Sequence, residues 1–290
     1  MAVAPLVFVL LWAGGYAFAK LGLAHAEPMT LLALRYGLAF VALAPFLFRR
    51  GIVWPQERRH WGALALTGIL IQCVYFGLAY LAMKRGMNAG TTALIMALQP
   101  LLVAVAGPFL GKVAVTPRVW GGLALGFAGV AVVIVTGGTL GPSPAIAVAL
   151  ALAALAGMTA ATLFEGWHGL RCDPAVGGAV QYAVGFALLM PVAFVTEGLA
   201  FDWHPELTMS LAYLVIGNSI IAIGLYIAML QRGDATRISA LLYLVPPLAL
   251  AIAWLVLGER PGPLSLFGFA LSMTGVYIVH RKLDGGGRTA

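Results

Sequence analysis

The chain has 290 residues, of which 62% are hydrophobic and only 9% charged, and its mean hydropathy is +0.98. A water-soluble domain carries roughly 25% charged residues, so no globular core could hide this much apolar surface, and the expected solvent is a lipid bilayer. The net charge of +7 (pI ≈ 9.7) would suit a nucleic-acid binder by number alone, but the one-sided placement of the basic residues described below argues against that class.

Charge, proline and glycine divide the chain into ten apolar runs: 3–20, 30–48, 61–83, 89–110, 117–137, 144–164, 174–196, 207–230, 236–257 and 263–280. Each approaches the ~20 residues that a spanning helix needs. Runs such as 145–155 are apolar on every side, which fits a helix and not the alternating strand of a β-barrel. The connections are too short for a catalytic or nucleic-acid-binding domain.

In the first run Trp12 and Tyr16 sit at i and i+4, on one helix face. Ala17-Phe18-Ala19 faintly resembles a cleavage site, but no basic segment precedes it, so a retained helix is expected. The second run holds Arg35, about five residues from its outer end. It is read as a structural residue that snorkels or caps a helix, in preference to a carboxylate site. The third run carries Gln72, Tyr75 and Gly77, the fourth Gln99 and Pro100. The fifth has Gly122 and Gly126 four apart, a spacing that lets helices approach closely in lipid. A linker, 137–144, follows. The eighth run contains Asn218 and Gly224, the ninth Tyr243 and Pro247, and the tenth Gly268 and Ser272.

Polar side chains in hydrocarbon need partners or a water-filled cavity, so those near the midplane are the candidate site. Trp12, Tyr16, Gln72, Tyr75, Gln99, Asn218 and Tyr243 are the expected substrate-binding residues, an aromatic-walled pocket with a few amides and phenols. Proline removes a backbone hydrogen bond inside a helix, so Pro100 and Pro247 are expected hinges that free the Met96 and Tyr243 carbonyls. Gly77 and Gly224 are secondary hinges. Trp54, Trp61, Trp120, Trp167, Trp203 and Tyr277 fall at run ends, where an interfacial aromatic belt is expected. Cys73 and Cys172 lie at different depths and imply neither a disulfide nor a metal site. The five histidines fall near loops or ends, and no cofactor is expected.

The chain also echoes itself. Gly77, Leu78, Arg85, Gly86, Ala93, Leu94, Pro100 and Gly111 recur 147 residues later as Gly224, Leu225, Arg232, Gly233, Ala240, Leu241, Pro247 and Gly258. Gly122 and Gly129 recur as Gly268 and Gly275, 146 residues on. Internal repeats mark secondary transporters, with the substrate site at the seam between copies. The copies are residues 1–138 and 143–282. Five runs per copy is an odd number, so the second copy enters the membrane upside down.

The loop charges agree. Arg49, Arg50, Arg58, Arg59, Lys112, Arg118, Arg171, Arg232, Arg237, Arg281, Lys282 and Arg288 fall on one side, and only Lys20, Lys84, Arg85 and Arg260 opposite. This positive-inside bias puts both termini in the cytoplasm. The expected fold is therefore an all-α membrane protein, ten transmembrane helices as two inverted five-helix repeats around a central cavity.

Particular stretches resemble a known family. Leu11-Trp12-Ala13-Gly14-Gly15, with Pro28 and Leu34-Arg35-Tyr36, resembles the opening of the EamA-type exporters of the drug/metabolite transporter superfamily. Ala93 through Gln99-Pro100-Leu101-Leu102 to Leu110-Gly111 is similar to that family's fourth helix, and Leu241 through Val245-Pro246-Pro247 to Leu257-Gly258-Glu259-Arg260 to its ninth. Gly111-Lys112 departs from the usual Gly-Glu. The resemblance implies export of small metabolites, amino acids prominent and aromatic ones a branch, through a cavity lined by spans one, three, four, six, eight and nine.

The reading is an inner-membrane exporter of small neutral metabolites, chiefly amino acids including aromatic ones, working by alternating access as a monomer or weak dimer. It is not an enzyme. The alternative is a multidrug or cationic-metabolite exporter, disfavoured because no Asp or Glu lies mid-span. A membrane enzyme acting on lipids would need a His/Asp or Asp-rich cluster that the sequence lacks. No Gly-x-x-x-x-Gly-Lys-Ser/Thr loop appears, so coupling to ATP within the chain is not expected.

Overall fold

A computed structural model describes residues 4–49, 51–106, 116–137, 141–168, 172–222, 224, 225, 229 and 244–283. The described residues are overwhelmingly helical and hold no strand. Eight helices are long and apolar enough to cross a membrane: Ala4–Gly22, Pro28–Phe48, Arg58–Lys84, Ala89–Ala106, Pro117–Thr136, Ala145–His168, Pro174–Glu197 and Pro205–Ala222. The ninth and tenth expected spans coincide with shorter apolar helices, Val245–Leu257 and Pro263–Ile278. Much of the expected ninth span lies outside the described residues.

Within these spans we number α1 (Ala4–Gly22), α2 (Pro28–Leu43), α3 (Arg58–Gly68), α4 (Phe76–Lys84), α5 (Ala89–Met96), α6 (Gln99–Ala106), α7 (Pro117–Thr136), α8 (Ala145–His168), α9 (Pro174–Glu197), α10 (Pro205–Ala212), α11 (Val245–Leu257) and α12 (Pro263–Leu283). Pro28, Pro117, Pro174 and Pro205 each open a helix, where the missing N–H costs nothing and the fixed φ is already helical. Gly198 and Gly258 close α9 and α11 at φ 62° and 70°, a left-handed cap that side chains resist.

Two spans are not plain α-helix. Ile69–Tyr75, between α3 and α4, and Tyr213–Ala222, after α10, are π-helical. Both lie in the third span of their copy, before Gly77 in one and Gly224 in the other. The fourth span is also interrupted. It breaks at Ala97-Leu98, so Pro100 lies in the first turn of α6, as Pro247 lies in the first turn of α11.

Helices α2 and α9 pack along their length in opposite directions. Thr30 meets Glu197, Tyr36 meets Gly185, and Leu43 meets Gly178. Helices α7 and α12 are closer still. A Cβ on Gly129 would strike the Ser272 backbone nitrogen and, at 2.5 Å, the Gly268 carbonyl. One on Gly275 would come within 2.5 Å of the Gly122 carbonyl. The backbones touch, the helices run antiparallel, and the glycine stripes are consumed inside the chain. The contact joins the fifth expected span to the tenth, one from each copy of the sequence echo.

A row of polar ties gathers at one end of the bundle, all at helix termini. Glu259, 7% exposed, accepts hydrogen bonds from Ala89 N and pairs with Lys20 at 2.6 Å. The same Lys20 ammonium donates to the Met87 carbonyl at 2.7 Å. Glu197 caps the start of α2, accepting from Met29 N, Thr30 N and Thr30 Oγ1 at 2.8–3.0 Å. His25 Nε2 lies 2.8 Å from Glu206, and Asp202 N donates to the His25 carbonyl. Helix N-termini expose unpaired N–H groups and a partial positive charge, which Glu259 and Glu197 satisfy.

Candidate functional site

A cavity lies between α1, α2, α4 and the two π segments. Trp12, Gly15, Tyr16, Ala19, Arg35, Tyr75, Phe76, Ala79, Tyr80, Met83 and Asn218 form its wall. For water-sized occupants its interior is about 30 Å³, room for roughly two waters. A metabolite therefore needs the walls to part. Lys20, one residue beyond the wall residue Ala19, carries the tie to Glu259.

The wall is built from local sequence features. Gly14 and Gly15 in α1 make room for the second π segment, since a Cβ on either would collide with the Tyr213 phenol or the Asn218 amide. Tyr213 then donates to the Leu10 and Leu11 carbonyls at 3.2 Å and stacks on Phe18 at 3.8 Å between centroids. Opposite, the first π segment delivers Tyr75, whose hydroxyl lies 3.1 Å from that of Tyr16. The i, i+4 placement of Trp12 and Tyr16 holds both on the cavity face. π-helical turns displace side chains from the α-helical register and are common at functional sites.

Four of the seven expected site residues meet here: Trp12, Tyr16, Tyr75 and Asn218. Two face elsewhere. Gln72, 4% exposed, donates to Gln181 at 3.3 Å, and its own carbonyl accepts from Tyr36 at 2.9 Å, which places it at the seam with α2 and α9. Gln99 donates to Thr162 on α8 at 2.8 Å. Tyr243 lies outside the described residues. Among the hinge candidates, Gly77 is buried at the start of α4, just after the first π segment, while Pro100, Pro247 and Gly224 are exposed.

Arg35 corrects the sequence reading. It neither snorkels nor caps: it is 3% exposed and forms part of the cavity wall. Nη1 donates to the Tyr80 hydroxyl at 3.0 Å, and the guanidinium carbon stands 4.6 Å from the centre of the Phe76 ring. Nε has no hydrogen-bond partner. A cation–π contact and a phenol soften the burial, but an unpaired arginine at depth still costs about 2.5–3.5 kcal/mol on insertion scales. The sequence pattern does not single out Tyr80 and Phe76; the mid-span charge of Arg35 was the signal that pointed to partners of this kind.

Comparison with known proteins supplies the class. Residues 2–135 and 145–281 each match the model of the EamA-like transporter family. An uncharacterized transporter of Archaeoglobus fulgidus is 30% identical over 94% of this chain and 95% of its own. A probable terminal-alkyne amino-acid exporter of Streptantibioticus cattleyicolor is 30% identical over 97% and 94%. A probable amino-acid metabolite efflux pump of Salmonella typhimurium is 28% identical over 94% and 92%. A solved crystal structure superposes on 97% of this chain and 98% of its own at a TM-score of 0.67 with 21% identity, which shows a shared fold.

Proposed function

Because the chain belongs to the EamA-like transporter family, and is a multi-pass membrane transporter and not an enzyme, we propose that it exports small neutral metabolites, amino acids including aromatic ones, from the cytoplasm. The observation that carries this reading is the aromatic-walled cavity with phenol and amide groups. Two relatives whose names include amino-acid export support the substrate class.

The mechanism is alternating access by two inverted five-helix units, residues 1–138 and 143–282, ten spans in all. The double family match, the antiparallel α2/α9 and α7/α12 pairs, and a π segment in the third span of each copy support this architecture. The loop charges support an inner-membrane orientation with both termini cytoplasmic. Trp12, Tyr16, Tyr75 and Asn218 contact the cargo directly; Gln72 and Gln99 set the helices around it, and Tyr243 completes the site from the ninth span. Pro100 and Pro247 begin the second halves of their spans and, with Gly77 and Gly224, take up the bending. Consumption of the glycine stripes between α7 and α12 favours a monomer over a glycine-seamed dimer.

An exporter of lipophilic cations fits poorly. Among the described residues no carboxylate lines the cavity, and its fixed charge is positive. The test is uptake into proteoliposomes of labelled phenylalanine, leucine and tetraphenylphosphonium, with and without a pH gradient. Saturable movement of the amino acids is expected; movement of the cation alone refutes the reading.

A further inference from the structure

We propose that Arg35 is a carboxylate anchor: the cargo carries an anionic group that docks on this guanidinium, with its apolar body against Trp12 and Phe76. The inference rests on the reading of the chain as a small-molecule transporter and narrows its cargo to carboxylates, with or without an ammonium group.

The charge inventory of the described residues carries it. Glu259 is committed to Lys20 and the start of α5, Glu197 to the start of α2, Glu27 to Lys84, Glu206 to His25 and Glu57 to Arg59. Asp173 caps its own helix at Ala175 N. Glu165 lies near the end of α8, and Asp202 in the loop before α10. None of the eight lines the cavity that Arg35 lines.

A guanidinium has five N–H donors in a planar fork matched to a carboxylate. Here one donor meets Tyr80, and Nε meets nothing. A buried cation with spare donors in a cavity wall favours an anion strongly, because low local dielectric magnifies the attraction. The remaining polar groups of the wall, the Tyr16 and Tyr75 hydroxyls and the Asn218 amide, can take up a second polar group on the cargo. A stripped amine would instead face a like charge.

The experiment uses the full chain in lipid nanodiscs and proteoliposomes with four related probes: phenylalanine, 3-phenylpropionate, phenylalaninamide and phenethylamine. The first two keep the carboxylate and the last two lack it. The expected result is that phenylalanine and 3-phenylpropionate bind and raise the melting temperature, while phenylalaninamide and phenethylamine bind at least tenfold more weakly. Arg35→Gln is expected to lose tenfold or more in affinity for both carboxylates, and Arg35→Lys to keep part of it without the bidentate geometry. Equal binding of the four probes, or unchanged carboxylate affinity in Arg35→Gln, overturns the anchor while leaving a transporter in place. If no probe binds or moves, the transport reading itself falls, and the anchor with it. Should Arg35→Gln fail to fold, the wild-type contrast between 3-phenylpropionate and phenethylamine decides the matter.

Discussion

The hydroxyls of Tyr16 and Tyr75 meet at 3.1 Å across the cavity, one from α1 and one from the first π segment. Such a bond contributes about 1 kcal/mol net, so Tyr75→Phe should fold normally and change the KM for cargo several-fold, read by uptake kinetics. Gln99→Ala should behave in the opposite way. Its partner is Thr162, away from the cavity, so about 1 kcal/mol of thermal stability should go while cargo affinity holds, a contrast that melting curves and binding together resolve. Before the structure, these residues looked alike. Hydropathy reveals that a polar side chain lies at mid-depth, but depth leaves the direction around the helix open. Trp12 and Tyr16 were legible because i, i+4 spacing fixes a shared face. Gln72 was not, because a π turn carries it to the α2 seam, and no sequence rule locates a π turn. Arg35 was visible as a charge but misread, since its neighbours Tyr80 and Phe76 come from another span.

Between elements, the contact of α7 with α12 tolerates least change. The Gly129 hydrogen faces backbone atoms of Ser272 and Gly268, which cannot rotate aside as a side chain could. Gly129→Val should therefore force the helices apart and cost about 1–3 kcal/mol, as overpacking does, seen as a lower melting temperature in detergent. Gly121, about two turns away with open space beside it, should accept alanine without loss. The glycine spacing was readable in the sequence, whereas its partner was not: a small-residue stripe states that something comes close, and only the fold says what. Glu259 follows the same logic. Its place after the ninth span was plain, but its partners Lys20 and Ala89 lie 239 and 170 residues away. Glu259→Ala leaves Lys20 half-buried without its counter-charge and α5 uncapped, and about 3 kcal/mol of stability should be lost.

Across the whole molecule, the sequence stated the all-helical membrane class well because it follows from a sum, of apolar length, that no single contact decides. The proposed orientation places Cys172, between α8 and α9, in the cytoplasm. Burial, reinforced by the neighbouring Asp173 carboxylate, pushes its thiol up, so it stays protonated at neutral pH. Maleimide labelling of Cys172 from the cytoplasmic face should be slow near pH 7 and rise as the pH climbs past the usual thiol value of about 8.5; labelling from outside the cell would refute the orientation.

The row of carboxylates at the opposite end has a consequence for the resting cell. Prying that face apart as proposed would break the ties of Glu259, Glu197 and Glu206 together, and counting each carboxylate as one tie of about 1 kcal/mol leaves roughly one molecule in a hundred or fewer unlatched. Under the proposed alternating access, an idle carrier keeps this doorway shut against protons and solutes, so the membrane potential is not drained between turnovers.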